Sequence, residues 1–397
     1  MINNSSEKRY VGTSVYGLRM PIISQGDDIS NIIANTVLET KKSTYQPLTI
    51  NNGDIIGITE SFLARSQGNY ATLDDIANDI KQKFPKGDIG VAFPILSRNR
   101  FAKILEGISR GAEGKVYVFL SYPTDEVGNA IMDEEKLYET NINPYTDIIT
   151  KQDFRKHFGI YHHPITGSDH IKMYEDISPK IEIILLNNPK DILKYTNQVI
   201  VASIHVRKRH KEILSKQGAK VFTLDEILNT PSTTHGWSEY GVLGSNYADE
   251  TRLKLFPRDS LAFCQTLQTI LKAKTGKHLE VMIYGDGGFK CPKTKIWEFA
   301  DPVVSPGFTD GLKGMPNEIK IKAVADNNSA NPQQAIKEAI ANKNSGNGFY
   351  SIGTTPRQIT DLLGSLCDLT TGSGEKGTPV VYIKGYFDNY LQPAPKD

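Results

Sequence analysis

The chain has 397 residues, with 46 Lys and Arg against 45 Asp and Glu, a net charge of +1 and 39% hydrophobic residues. Two or three domains fit that length; the charge balance argues against a nucleic-acid partner, and the composition excludes wholesale disorder. No apolar run approaches the roughly 18 residues of a membrane helix, no apolar segment marks a secretory signal at the N-terminus, and the scattered Cys264, Cys291 and Cys367 suit neither a disulfide framework nor a cysteine zinc site, so a cytoplasmic protein without membrane partners is expected.

In chain order, residues 10–16 read as a strand ending at Gly17. Asp28 is placed to cap a helix with Ile29, Ile32, Ile33 and Val37 on one face. After the turn Asn51-Asn52-Gly53, residues 54–58 form a short buried strand. Leu73, Ile76, Ala77, Ile80 and Phe84 mark a helix that stops at Pro85-Lys86-Gly87. Residues 116–120 and 181–186 are apolar runs of the buried parallel type. A helical stretch follows Asn187-Asn188-Pro189, then a strand over 198–204, a helix near 208–217 and a strand over 219–222. This alternation predicts a small parallel sheet. Asp259 or Ser260 caps a helix with Phe263, Leu267, Ile270 and Leu271 on one side, ending at Gly276 before a strand over 279–284. Residues 318–325 alternate as a half-exposed strand. Helices near 332–341 and 356–366 follow, and a glycine-rich loop over 372–377 leads into a strand over 380–384.

The expected fold class is α/β. A discontinuous mixed α+β core, residues 1–85 and 236–397, carries an inserted α/β subdomain, residues 86–235, with the small parallel sheet. Long insertions in a surface loop add little closure entropy.

Several constellations could carry chemistry. In Tyr284-Gly285-Asp286-Gly287-Gly288-Phe289-Lys290 a strand runs into a glycine turn. Glycines let backbone approach a ligand, a carboxylate at a strand end can hold a divalent cation, and Lys290, Lys293 and Lys295 suit phosphate oxygens. An ordinary turn fits the same residues. The loop containing Gly372, Ser373 and Gly374 offers backbone N–H groups to a phosphate, although it lacks a Walker A ending and also reads as a surface loop. Arg19, in Gly17-Leu18-Arg19-Met20-Pro21-Ile22-Ile23, and Arg65, in the segment from Thr59 to Gly68, could clamp phosphates or carboxylates; both could equally be solvated. The histidines between His162 and His170, with Asp169, match no metal spacing and fit a polar loop better. Arginines in Ser97-Arg98-Asn99-Arg100 open a helix, where they oppose the dipole unless an anion binds. Arg207-Lys208-Arg209-His210-Lys211 reads as a solvated helix face.

Gly17 to Asp28, Gly53-Asp54 to Gly68, Asn246, the Asp286 turn and Gly372 to Gly385 together resemble, in order and spacing, the coenzyme F-420-0:gamma-glutamyl ligase family. The best stretch, Gly53-Asp54-Ile55-Ile56 through Ser61 to Arg65-Ser66-Gln67-Gly68, is similar to the family's Gly-Asp strand followed by Ser-Lys-Ala-Glu-Gly. The resemblance covers the core, roughly 60% of the chain, and not the insertion. It implies a GTP-dependent amide ligase, acting with divalent metal ions, that joins the amine of L-glutamate to the terminal carboxylate of a deazaflavin cofactor precursor. It also implies a mixed α/β fold and an intertwined homodimer; a related branch is proposed to act on folate.

Carried over by position, Met20, Pro21, Ile22 and Ile23 would line the nucleotide, Ser61 would sit at the phosphates, and Arg65 stands where the family has lysine. Asn246 matches a nucleotide-contacting Asn, Asp286 the carboxylate ending the central strand, and Ser373 a metal or nucleotide ligand that is usually Gln or Glu. The family's metal-binding Asp three residues before the Asn is Leu243 here, so Glu239, Asp249 or Glu250 substitutes, or the metal arrangement has changed.

The leading expectation is a ligase using GTP or ATP with Mg2+ or Mn2+ to join a small-molecule carboxylate to an amino acid such as L-glutamate. Asp286 would hold the metal, and Arg19, Arg65 and Lys290 would neutralise phosphate or carboxylate charge. A non-catalytic ligand-binding relative is the alternative, supported by Leu243. A dinucleotide enzyme built on the middle sheet is disfavoured, because no Gly-x-Gly-x-x-Gly follows its strands.

Overall fold

The computed structural model describes residues 10–97, 100–164, 167–286, 303–316, 318–344, 353–354, 357–370 and 374–389. The chain divides into two compact units. The first comprises Met1–Leu63, Asp259–Gly287 and Glu298–Asp397; the second comprises Ala64–Arg258 and Gly288–Trp297. In chain order the strands are β1 (Ser14–Leu18), β2 (Ile55–Thr59), β3 (Tyr70–Thr72), β4 (Ile89–Ala92), β5 (Val116–Leu120), β6 (Ile149–Thr150), β7 (Ile181–Leu185), β8 (Gln198–Val201), β9 (Lys220–Thr223), β10 (Asn246–Tyr247), β11 (Arg252–Lys254), β12 (Glu280–Asp286), β13 (Val303–Phe308) and β14 (Val380–Lys384).

The first unit is built on a five-stranded sheet, ordered β1-β14-β2-β12-β13. Only β2 and β12 pair in parallel, Tyr284 opposite Thr59. Both faces of the central strands are covered, so their apolar residues alternate between two cores. Ile56, Ile58, Val281, Ile283, Val380 and Tyr382 join the helices Ile29–Thr40 and Ser260–Thr275. Ile55, Met282, Tyr284, Val381 and Ile383 join the helix Ile359–Thr370. Asp28 caps the Ile29–Thr40 helix as expected, its carboxylate accepting from the Asn31 N–H at 3.1 Å. Gly57 lets the Ile359–Thr370 helix approach β2, since a Cβ there would overlap Cys367 Sγ.

The second unit holds a six-stranded sheet, ordered β6-β7-β5-β4-β8-β9, parallel except for the antiparallel edge strand β6. The expected small parallel sheet is therefore present, with β4 added at its centre. The helices Leu73–Lys83 and Phe101–Gly111 meet at Gly107, where a Cβ would lie 2.8 Å from Ile76. A second, three-stranded sheet joins β10, β11 and β3, with Arg252 opposite Thr72.

Those long-range contacts explain why the compact units divide after Leu63 and Arg258. The pairing of β3 with β11, and the packing of Leu73–Lys83 on Phe101–Gly111, draw residues 64–85 and 236–258 into the second unit.

Several local expectations need correction. Residues 318–325 are not a strand: Ile321–Asp326 is a helix packed against the helix Pro332–Asn344. The alternation covers only Ile319 to Lys322, and the following Ala323-Val324-Ala325 favours helix. The first strand starts later than expected and runs through Gly17, because its register on β14 extends from Ser14 to Leu18. Pro189–Lys194 is a 3-10 turn. The strands β3, β4, β6, β10, β11 and β13 were not anticipated.

Candidate functional site

The strand directions of the five-stranded sheet gather distant segments at one edge. β1, β2 and β12 end there; β13 and β14 begin there. The Met20 N–H donates to the Gly377 carbonyl at 3.0 Å, and the Thr59 N–H donates to the Pro379 carbonyl at 3.0 Å. Gly17 allows this approach, because a Cβ there would already lie 3.0 Å from the Thr378 side chain. The segments after β1, after β2 and before β14 are thus tied together, and Asp286 ends the neighbouring β12.

The residues singled out in the sequence take different positions. Arg19, Met20 and Pro21 follow β1, with Arg19 and Pro21 exposed and Met20 half-buried. Ile22 is 90% exposed whereas Ile23 is 3% exposed and packs into the core, so Ile23 anchors the segment. Ser61 is half-buried and Arg65 exposed on the helix Glu60–Ser66, four residues apart and hence on one face. Gly374 is exposed, and its carbonyl accepts from the Gly377 N–H at 3.0 Å. Gly377 has φ +63°, a left-handed conformation that closes the turn before β14. Of Asp286 only the backbone is described, opposite Val303. Lys290, Gly372 and Ser373 lie outside the described residues. Asn246 belongs to β10 in the second unit and pairs with Lys254.

One residue at the edge was missed. Glu60 is 6% exposed, and its Oε2 accepts from the Thr59 hydroxyl at 2.9 Å. Its carboxylate lies against Gly285 of β12, where a Cβ would be 2.7 Å from Oε2. An acid directly following a buried strand was the available sequence signal. The pairing of β2 with β12, which brings Gly285 alongside, was not readable from local pattern.

A divalent cation with a nucleotide needs hard oxygen donors, usually one or two carboxylates beside phosphate. Glu60 carries such oxygens, and the space left by Gly285 is filled by its own carboxylate, which the Thr59 hydroxyl holds. Leu243 carries none: it is 8% exposed within the hydrophobic core of the second unit. Of the possible substitutes, Asp249 is committed to its own turn. It accepts from Thr251 N at 3.0 Å and from Arg252 Nε at 2.7 Å, and the bond from Arg252 leads in pushing its carboxyl down to about 2. Glu239 and Glu250 are exposed. Among the described residues no three His, Cys, Asp or Glu side chains gather to hold a metal.

Several residues of the remaining constellations make structural contacts; Arg98 and Asn99 lie outside the described residues. Asp169 caps the helix His170–Glu175, and Nη2 of Arg155 donates to both of its carboxylate oxygens at 2.6 Å. His170 is buried, and burial holds its imidazole below the usual range. The run from Arg207 to Lys211 is not wholly solvated: Arg207 pairs with Asp225, Lys211 with Glu226, and His210 Nδ1 lies 3.2 Å from the buried Ser203 hydroxyl. In the six-stranded sheet the strand order reverses around β4, where such folds commonly bind ligands. There, however, the N–H groups of Ile204 and His205 donate to the half-buried carboxylate of Glu126, the latter at 3.2 Å. An internal carboxylate thus takes donors that a phosphate would otherwise use. A groove of about 680 Å³ lies between the Leu73–Lys83 helix and residues 228–235. Its Asp75 accepts from Thr72 and its Asp79 pairs with Lys83.

The mixed α+β architecture, with a ligand-sized set of polar segments at one sheet edge, defines a small-molecule enzyme class better than a structural module. Among the described residues, no helix is long and apolar enough to cross a membrane. A sequence profile of the F420-0:Gamma-glutamyl ligase family matches residues 17–385. The chain therefore belongs to the F420-0:gamma-glutamyl ligase family, a family of ligases acting on small molecules. The matched interval also encloses 86–235, so the relationship is wider than the core motifs implied. No curated protein matches the sequence.

Proposed function

We propose that this chain is a carboxylate–amine ligase that consumes GTP or ATP with Mg2+ or Mn2+ and adds L-glutamate, or a similar amino acid, to a small-molecule carboxylate. The observation that carries this reading is the shared sheet edge: the segment from Arg19 to Ile23, the Thr59-Glu60-Ser61 strand end, the Asp286 strand end and the loop before β14 meet there.

In the first step an acceptor carboxylate oxygen attacks the γ-phosphorus, and the nucleoside diphosphate leaves. An acyl phosphate results. The amino-acid nitrogen then attacks the acyl carbon, phosphate departs with the bonding pair, and the nitrogen loses its proton. Positioning and charge neutralisation dominate such chemistry. The divalent cation supplies charge neutralisation at the phosphates. Arg19, Arg65 and Lys290 would offset phosphate or carboxylate charge, Ser61 and the loop from Gly372 to Gly374 would contact phosphate oxygens, and Asp286 with Ser373 would serve the cation. The exposed Ile22, with Met20 and Pro21, would cover the base or ribose. By the family resemblance, Asn246 would contact the nucleotide and the chain would form a homodimer.

Calorimetry with GTP and ATP, with and without Mn2+, joined to a phosphate-release assay with L-glutamate and candidate carboxylates, tests this. Metal-dependent nucleotide binding and amide formation are expected. Binding without metal dependence or turnover would instead establish a non-catalytic relative, the reading that Leu243 favours. Absence of nucleotide binding would overturn both.

A further inference from the structure

We propose that the groove between the Leu73–Lys83 helix and residues 228–235 binds a neutral polyhydroxylated small molecule, a sugar or polyol. The groove lies wholly within the second unit and is independent of the nucleotide chemistry proposed for this chain.

The space is preformed. It measures about 680 Å³, inside the range of roughly 300–1,000 Å³ usual for small-molecule pockets. One wall is a helix whose other face buries Leu73, Ile76 and Ile80. The second wall is tied down at both ends. The Leu228 N–H donates to Asp79 Oδ2 at 3.1 Å, and the Gly236 N–H donates to the Tyr70 carbonyl at 2.9 Å. Leu228 takes φ +58° while its side chain stays buried. A bulky residue in that left-handed region persists only where its surroundings hold it. The loop is therefore fixed at its distance from the helix.

The chemistry of the walls selects the ligand. Asp75, Asn78, Asp79 and Gln82 follow the i, i+3, i+4, i+7 spacing and share one helix face. Both bonds from Thr72, each at 2.7 Å, go to Asp75 Oδ2, which leaves Oδ1 as an acceptor. Among the described residues the amides of Asn78 and Gln82 have no hydrogen-bond partner, so each offers donors and an acceptor. On the other wall, His235 Nδ1 lies 2.8 Å from the Gly236 carbonyl. A carbonyl only accepts, so Nδ1 carries the proton and the neutral ring keeps Nε2 as an acceptor. Donors and acceptors interleaved over one surface match hydroxyl groups, which do both. Other ligand classes fit less well. Leu228 and Pro231 are the only apolar residues among the described lining, too few for an apolar ligand. Asp75 and Asp79 oppose an anion. Lys81 on the lining, and Lys83 at 2.6 Å from Asp79, offset those two acids, so a cation gains no net attraction.

The test is saturation-transfer NMR on the full chain without nucleotide, with glucose, galactose, ribose, sucrose and sorbitol offered singly. At least one is expected to bind. Asn78→Ala combined with Gln82→Ala should weaken that binding by about tenfold or more, the loss of two neutral hydrogen-bonding groups. Both side chains are exposed on the helix and alanine favours helix, so the urea midpoint of this variant should match that of the original chain. His235→Gln, outside the helix, carries the test if that midpoint falls. Binding by none of these compounds overturns the inference. So does sugar binding that survives the substitutions, or a preference for spermidine or inorganic phosphate over every sugar, which would make the groove an ionic site.

Discussion

The Tyr382 hydroxyl donates a 2.6 Å hydrogen bond to Oδ2 of Asp54, joining residues 328 positions apart. Asp54 is the acid of the Gly53-Asp54 pair that carries much of the family resemblance, yet its work is structural. It also accepts from Asn51 N and Gly385 N, closing the turn before β2 and the end of β14. Replacing Tyr382 with Phe should cost about 1.5–3 kcal/mol near neutral pH, the usual value of a hydrogen bond to a charged group. Urea unfolding of the two chains measures this. Burial is the chief influence on Asp54 and holds its carboxyl above the ordinary 3.8. The unfolded chain therefore ionises first. Asp54 favours the fold at low pH, and that gain is lost as pH rises through the native value. Because the tyrosine bond favours the ionised form, the cost of Tyr382→Phe should shrink near pH 4; a cost independent of pH would remove Asp54 ionisation from the account.

Gly57 and Cys367 make a packing pair. A side chain on Gly57, in the middle of β2, would overlap the Cys367 sulfur from the covering helix. Gly57→Ala should cost roughly 1–3 kcal/mol through overpacking, and adding Cys367→Ala should recover most of it. Thermal unfolding of the single and double variants decides; no recovery would place the strain elsewhere. Burial pushes the Cys367 thiol well above the usual range and the Cys264 thiol up to about 12, so both should resist thiol reagents in the native chain.

How far these relationships were legible depends on their range. The strands over 116–120 and 380–384 and the Ser260–Thr275 helix were visible because apolar runs and helical spacing are local signals. The packing that sets the compact units and the contact of Glu60 with Gly285 were illegible for one reason. Thr72 opposite Arg252, and Thr59 opposite Tyr284, are pairings between distant segments, and neither leaves a periodic trace. At the candidate site the segments containing Arg19, Ser61 and Gly374 were picked out by glycine and charge spacing. Glu60 becomes meaningful only beside Gly285. The family's metal position at Leu243 was visible as a departure, and its packing explains it: an apolar residue there completes the core containing Val242, Leu253 and Leu255.

Asn69 should be the costliest single polar side chain to remove in the second unit. It is fully buried; its Nδ2 donates to the carbonyls of Trp237 at 2.9 Å and Phe256 at 2.7 Å, and its Oδ1 accepts from Trp237 N at 3.1 Å and Arg258 Nη1 at 3.0 Å. This amide holds the returning segment around 237–258 against β3. Asn69→Ala should lower stability by about 2–4 kcal/mol, since buried carbonyls lose their donors and a cavity is left. A change below about 0.5 kcal/mol in chemical unfolding would contradict that role.

His210 sets an acid limit on the second unit. Burial, aided by the neighbouring Arg209 charge, pushes its imidazole down from 6.5 to about 4. In the fold the ring stays neutral beside the Ser203 hydroxyl, with its centroid 5.0 Å from that of Phe93. The unfolded chain takes up a proton below 6.5 that the folded chain refuses until about 4, so stability is full above the first value and falls as pH drops toward the second. Between pH 7.5 and pH 5 this one residue should remove about 2 kcal/mol. His210→Gln, which cannot titrate, should lose that part of the pH dependence while His170, also held low by burial, retains a separate contribution of the same sign. Urea midpoints of both chains at the two pH values test the point. Equal slopes in the original and substituted proteins would mean that His210 is not the group whose protonation opposes folding.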